Sequence, residues 1–568
     1  MGWSARNLTL VAGCLLALGG AAVDAGDAAG AYFTNERWGY KVRVPKGWTQ
    51  AAMSADEKWI ASKHLGKRPL EAKNSQYWTR ETPEMWVIGF PHIRRGERRA
   101  KRVEGATSTE LIVNNPYTDY KDFIKRNRGF LTWERGGYYF SKEEETEING
   151  VKVTQYEIAM EKMVNTKRRV IAWVYHYDDI DFAIQFKILD DHYKGSKRGF
   201  AGCLKSFKRA ERTKALPGSA TTGKKIVEDE DLDKLSPEER KRALEDQVKR
   251  KYQREIDALP KGWKTREFEH YLMLYNCQEK FARRTGAHAE AVRAHLDKLF
   301  GAVGDRFVPK AIIRIFSSSA EQNAYHSSTR SMWDNVQEIT VVQGAGWEKD
   351  WAFGRVNSSV FSVWLYYRNK NLTSNMPSWL RSGLYKYMNM LRTKGKRIDF
   401  SNEDWDRDRM RLQITKGAYA PLKELIAGAA AKQKQDGAGS WERHQQAESL
   451  VYWLMTKGNR GKYKNLIKNY LFYLTIVVQD VQLEYEEKLG KLKDEEKAAK
   501  AASSVDPDSE EEDEDEDAFD PSKHQEELIA LYKEKRKEIL EESFKRTFGT
   551  WTDKDWKRFT KAWVGYAK

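Results

Sequence analysis

The chain is poor in cysteine, with three in 568 residues, and beyond its first residues it has no long uncharged apolar run. It also contains no H-E-x-x-H metal motif and no nucleophile elbow. Each lack excludes something. Cys14, Cys203 and Cys277 are too few and too far apart for a disulfide framework, so Cys203 and Cys277 read as two buried thiols. Without a charge-free run of about 18 residues after the N-terminus, no later segment reads as a transmembrane helix. What the chain does have is aromatic and aliphatic bulk, with 20 Trp and a hydrophobic fraction of 40%. That is enough to fill real cores and excludes a disordered protein. At a prior of roughly 150 residues per domain the length suggests roughly three or four units, of which two or three are expected to be globular bodies.

The first 25 residues place Arg6 before an apolar run, 8–18, and then small residues at 22–25. This is the layout of a secretory signal cleaved near Ala25, which makes the mature protein exported, either periplasmic or secreted. Val11-Ala12-Gly13-Cys14 resembles a lipobox, but only about four apolar residues precede it, so a lipoprotein anchored through Cys14 ranks second.

The formal net charge is +16. The densest basic stretch is 92–102, with Arg94, Arg95, Arg98 and Arg99. Elsewhere Lys and Arg alternate with Glu and Asp, the pattern of a solvated surface, and the expectation is no specific nucleic-acid partner. Binding of an anionic envelope polymer through the arginine cluster is an alternative function.

The expected fold class is α+β. Residues 31–210 read as a first domain: 40–44 alternate like a strand, 85–93 and 151–160 are β-rich, and 170–189 form a hairpin broken at Asp178-Asp179. Helical spacing follows through Phe200, Leu204 and Phe207. His176, with no second histidine at ligand spacing, reads as a strand-face residue. Residues 211–260 are a charged linker carrying one helix, because Ser236, Pro237 and Glu239 supply an N-cap, an N1 proline and an N3 glutamate. Residues 261–568 form the second domain: a strand at 268–275, a helix through Phe281 and Phe300, strands at 312–316 and 339–342, then helices to the end. Within it, 487–522 reads as an insertion, a Lys/Glu/Ala-rich helical stretch followed by the acidic tract DPDSEEEDEDEDAFD, which self-repels and is expected to be disordered. A calcium-collecting role for the tract lacks the glycine-punctuated ligand spacing of a calcium loop.

Two resemblances follow. The opening strand with VPKGW, the long hairpin and the closing helix ending in Leu204-Lys205-Ser206-Phe207 resemble the PsbP-like domains, which implies an antiparallel sheet flanked by helices and a non-catalytic binding or scaffolding role. From about residue 263 onward, EFEHYLMLYN, IIRIFSSSAEQNAY, PSWLRSGLYKY, AESLVYWLM and the closing FKRTFGTWTDKDWKRFTKAWVGY resemble, in order, the exported bacterial peptidase-MA-like proteins of the gluzincin (thermolysin) group. That implies a small sheet followed by a helical subdomain, and a zinc site carried on two consecutive helices. Here those helices lie in 357–387 and the ligands are missing. Ser382 stands where the second helix of the family carries its glutamate ligand. Twenty residues earlier, at the thermolysin-like separation, Ser362 takes the second histidine position, with Ser358 and Ser359 at the first histidine and the catalytic glutamate. Serine hydroxyls are poor zinc ligands, so neither metal nor cofactor is expected.

The implied function is an exported, non-catalytic pseudo-peptidase: a binding or scaffold protein of the cell envelope with a peptide or protein partner. A hydrolase with a non-standard site, such as Ser358 or Ser359 with His326, is the competing expectation. Arg381, Tyr385 and Lys386 are candidate binding residues lining the vacated cleft.

Overall fold

The computed structural model describes residues 29–53, 57, 59–73, 80–92, 117–126, 137–160, 166–213, 235–301, 308–326, 336–343, 351–394, 397–400, 405–427, 439–502 and 521–567. The signal-like N-terminus with Cys14, the arginine cluster Arg94, Arg95, Arg98 and Arg99, and the acidic tract lie outside the described residues. The protein is α+β and divides into two compact units.

The first unit comprises 1–263 together with 318–334. It opens with β1 (Ala29–Asn35) and β2 (Tyr40–Pro45), followed by β3 (Thr49–Gln50), β4 (Ile60–Leu65), β5 (Leu70–Glu71), β6 (Arg80–Glu81) and β7 (Glu84–Pro91). After helix α1 (Tyr120–Arg126) come β8 (Tyr138–Ile148), β9 (Val151–Met160), β10 (Arg168–His176) and β11 (Ile180–Leu189), then helix α2 (Asp190–Lys205) and β12 (Lys208–Arg209). The main sheet is seven-stranded and antiparallel in the order β3-β4-β7-β11-β10-β9-β8, and a three-stranded sheet is ordered β1-β2-β12. The hairpin expected at 170–189 is β10–β11, with Arg168 opposite Leu189 and His176 opposite Asp181. A second hairpin turns at Asn149-Gly150, where both residues have positive φ (52° and 77°), as a two-residue type I′ turn requires.

The central strands are apolar on both sides because the sheet is covered on both sides. Phe182, Ile184 and Phe186 point into a core with Tyr40 of β2, Phe200 of α2, Trp38 just before β2 and Phe207 just after α2. Alternate residues such as Ala183, Val174 and Ile88 enter a second core with Phe123 and Ile124 of α1. Phe186 and Phe200 stack at 4.2 Å. Lys63 is fully buried: its Nζ donates to Glu57 (2.6 Å) and to the carbonyl of Ala324 (2.9 Å), and lies 4.3 Å above the Trp86 ring. Ala324 belongs to the short helix Ser319–His326, a part of this unit that interrupts the sequence of the other. The linker helix α3 (Pro237–Asp257) starts with the expected capping box, Ser236 and Glu239 each bonding the other's backbone N–H.

The second unit comprises 264–317 and 335–568. β13 (Lys264–Glu267) pairs antiparallel with β14 (Tyr271–Tyr275), while β14, β15 (Ala311–Phe316) and β16 (Glu338–Val342) run parallel. The single strand expected over 268–275 is instead a hairpin arm: the Phe268 N–H bonds the Tyr271 carbonyl (2.8 Å), so 268–270 turn and the pairing strand precedes them. Helix α4 (Glu279–Phe300) connects β14 to β15. The helix pair follows as α5 (Trp351–Arg368) and α6 (Ser378–Asn389), bridged by the short helix Leu372–Asn375, and then the ribbon β17 (Leu391–Lys394) and β18 (Arg397–Phe400). The remainder is α7 (Trp405–Thr415), α8 (Leu422–Ala427), α9 (Gly439–Met455), α10 (Leu466–Ala502), α11 (Pro521–Phe548) and α12 (Asp553–Ala567).

The Lys/Glu/Ala-rich stretch expected to be helical at the start of 487–522 is the end of α10, which runs unbroken through 487–502. Lys, Glu and Ala favour helix, and the pairs Glu484–Lys488 (3.2 Å) and Glu487–Lys491 (3.0 Å) add i,i+4 support. Among the described residues no helix is long and apolar enough to cross a membrane. Cys203 is buried and Cys277 partly buried, both as free thiols, and burial pushes each up to about 11.

Candidate functional site

α6 is positioned from its buried side. Pro377 sets its first turn, and Trp379, Leu380, Leu384, Tyr387 and Met388 face the core. Gly383 is there because α9 comes close: a Cβ would lie 2.3 Å from Val451 Cγ2 and 2.9 Å from the Ala447 carbonyl oxygen. Trp379 meets Tyr470 of α10 edge-on at 5.4 Å. α5 is anchored at its buried end by Asn357, whose amide nitrogen donates to the carbonyls of Met388 (2.9 Å) and Leu391 (2.9 Å), fixing the exit from α6. Asn357 Oδ1 lies 2.5 Å from Nε2 of His288 on α4, whose Nδ1 is 2.6 Å from the Thr393 hydroxyl. Burial holds His288 down to about 4, so it is neutral in this network near neutral pH.

On the opposite side the two helices meet through hydroxyl and amide groups. The Ser362 hydroxyl lies 2.6 Å from the Tyr385 hydroxyl and donates to the Ser358 carbonyl at 3.0 Å. Ser358 donates to Oδ1 of Asn389. The expected positions Ser358 and Ser362 therefore do face α6, one turn apart. Their partners are Tyr385 and Asn389, however, and not Ser382, which sits one turn before Tyr385 on the same helix and is partly buried. Ser359 is partly buried on α5, Arg381 is exposed and Lys386 partly buried.

Chemically, the seam of Ser358, Ser362, Tyr385 and Asn389 can donate and accept hydrogen bonds. A carboxylate, thiolate or imidazole would be needed to take a proton or bind zinc, and among the described residues the contacts of these four side chains include none. His326 belongs to the first unit and Ser358 to the second. Two histidines of α4 touch the helix pair, His288 and His295, the latter 3.2 Å from the Tyr387 hydroxyl and held down to about 4 by burial. Sequence spacing pointed to neither, because α4 lies some 70 residues upstream and nothing local marks the contact.

Two further clusters stand apart from the seam. Among the described residues, Glu269, His270 and Glu290 bring three potential metal donors within 4.8 Å of one another. Glu290 already accepts from the His270 backbone N–H (2.8 Å) and contacts Nδ1 (2.7 Å), and this bond raises the His270 pKa, so the group reads as a hydrogen-bonded pair closing the β13–β14 turn. In the first unit, His176 is more than a strand-face residue: its Nδ1 lies 3.1 Å from Asp181, its Nε2 2.8 Å from the Thr154 hydroxyl, and His92 reaches the same Asp181 at 3.0 Å.

No family model matches the chain, and no curated protein matches it. Among solved structures it is similar to cyanobacterial PsbP from Synechocystis, at 13% identity and a TM-score of 0.22, over 32% of this chain and 94% of that one. It is also similar to LpqN, described as involved in cell envelope biogenesis of Mycobacterium tuberculosis, at 12% identity and a TM-score of 0.20, over 32% and 90%. A third is a protein of unknown function from Pseudomonas aeruginosa, at 6% identity and a TM-score of 0.17, over 32% and 96%.

Proposed function

We propose that the chain is an exported, non-catalytic binding or scaffold protein of the cell envelope, with a PsbP-like first unit and a second unit in which a peptidase-type helix pair is kept for its packing. One observation carries this reading: at the positions expected to hold zinc ligands, Ser362 is bonded to Tyr385 and Ser358 to Asn389. Neutral hydroxyl and amide groups that satisfy one another stabilise a seam but neither activate a water nor attack a carbonyl. The helix pair therefore holds a surface in place, and the partner it serves is a peptide or protein.

The test uses the purified full-length protein, assayed for bound zinc and for hydrolysis of a mixed peptide library with and without a chelator. The expected result is no stoichiometric zinc and no chelator-sensitive cleavage. Stoichiometric zinc together with cleavage abolished by the chelator would overturn the proposal. Export is checked separately by fractionating cells that express the chain with and without residues 1–25.

A further inference from the structure

The cations of the first unit fall into two groups. On the main sheet and the helix α1 beside it they are paired: Lys121 of α1 with Glu143 (2.7 Å), Lys142 with Glu144 (2.7 Å), Lys152 with Glu145 (2.9 Å) and Lys187 with Glu84 (3.2 Å). On the small sheet β1-β2-β12 the inward-facing Arg209 is paired with Asp179 (3.0 Å), while among the described residues the cations of the outer face have no carboxylate partner. β2 alternates, with Tyr40, Val42 and Val44 buried and Lys41 and Arg43 exposed, so both cations stand on the outer face. β12 places Lys208 directly opposite Lys41, and β1 places Tyr32 opposite Arg43, whose guanidinium lies 5.0 Å from the Tyr32 ring centroid. Lys46 follows at the end of β2, and Lys205 ends α2 just before Ser206, whose hydroxyl accepts the Arg43 backbone N–H (2.8 Å). Among the described residues none of these five cations has a carboxylate partner. The nearest acids in sequence, Glu36 and Glu211, lie toward the end of the sheet where the Thr213 N–H bonds the Glu36 carbonyl.

Like charges directly opposite on neighbouring strands cost stability, and here Lys41 and Lys208 incur that cost with nothing to offset it. The geometry points to a binding face for a linear acidic polysaccharide on the outer side of β1-β2-β12, with Lys41, Arg43 and Lys208 as its centre. Neighbouring cations are separated by about 7 Å along the strand and about 5 Å across strands, a two-dimensional grid suited to a chain of carboxylates. A nucleic acid fits less well, since single strands are held by bases stacking on free aromatic faces and Tyr32, the aromatic on this face, already carries the Arg43 guanidinium. An ionic grid of this kind binds by counterion release, so its affinity falls as salt rises.

The experiment measures binding of full-length protein to polygalacturonate, neutral dextran and single-stranded DNA over a salt series. The wild type is expected to bind polygalacturonate, to ignore dextran and to bind DNA more weakly. The variant Lys41→Gln/Arg43→Gln/Lys208→Gln should lose roughly tenfold or more in affinity and show a shallower salt dependence. The control Lys142→Gln/Lys152→Gln, which removes cations already paired, should bind as wild type. Circular dichroism melts keep the result interpretable: the triple variant should melt no lower than wild type, and polygalacturonate should raise the melting temperature of wild type alone. Absent wild-type binding, undiminished binding by the triple variant, equal losses in both variants, or tighter binding to DNA would each overturn the inference.

Discussion

The two sides of α6 differ in how much latitude their residues have. On the buried side, Leu380 and Leu384 are fully enclosed and Gly383 leaves room for no added atom against Val451. On the seam side, Ser382, Tyr385 and Asn389 are partly buried or exposed, and Tyr385 and Asn389 are held by a few polar contacts. Dispersion and burial act over dozens of atom pairs on one side, and one or two hydrogen bonds worth about 1 kcal/mol each act on the other. A helix can therefore keep its place in a fold while its outward chemistry changes, because the two sides are stabilised by different forces.

Four measurements test that difference. The largest effect should come from acid. His64 in the first unit and His288 beneath α5 are both held down to about 4 by burial, against an ordinary value of about 6.5. Between those values the unfolded chain takes up protons that the fold refuses. Stability should be full above about pH 6.5 and fall as pH drops toward 4, by on the order of 3 kcal/mol for each histidine. Urea melts at pH 7 and pH 4.5 check this, and identical midpoints would mean that the imidazoles are protonated within the fold. Next, Leu380→Ala should cost about 3 kcal/mol in the same assay at pH 7, as a buried leucine leaving a cavity does. Gly383→Ala should cost roughly 2 kcal/mol although alanine favours helix, because the Ala447 backbone oxygen at 2.9 Å cannot move aside cheaply. Last, Ser362→Ala and Tyr385→Phe should each cost under about 1 kcal/mol and couple to each other in a double-mutant cycle. A seam substitution costing more than Leu380→Ala would erase the contrast.

Local patterns carried much of the fold. The capping box at Ser236 and Glu239, the β10–β11 hairpin and the helix starting after Pro377 are written in neighbouring residues, and each formed where its residues placed it. The Asn149-Gly150 turn was equally readable from its dipeptide. What escaped is non-local. His288 reaches Asn357 across 69 residues, and Lys41 meets Lys208 across an interval spanning the whole main sheet. For the seam, the thermolysin-like separation counted back from Ser382 picked out Ser358 and Ser362, whose partners on α6 are Asn389 and Tyr385. Which residues of α6 face those serines depends on helix rotation, which Val451 and Tyr470 set from outside the pair.

The excursion at 318–334 bears on how the protein is made. Lys63 emerges from the ribosome early, yet its bond to the Ala324 carbonyl closes only 261 residues later, after β14, α4 and β15 of the other unit have been synthesised. Folding during translation is thus interleaved rather than sequential: the first unit waits for a segment embedded in the second, and β15 must wait in turn for β16 beyond that segment. Vectorial synthesis, which ordinarily lets an N-terminal domain finish first, here leaves the first unit incomplete until its 318–334 segment has appeared, when the second unit has already begun and its C-terminal helices are still to come.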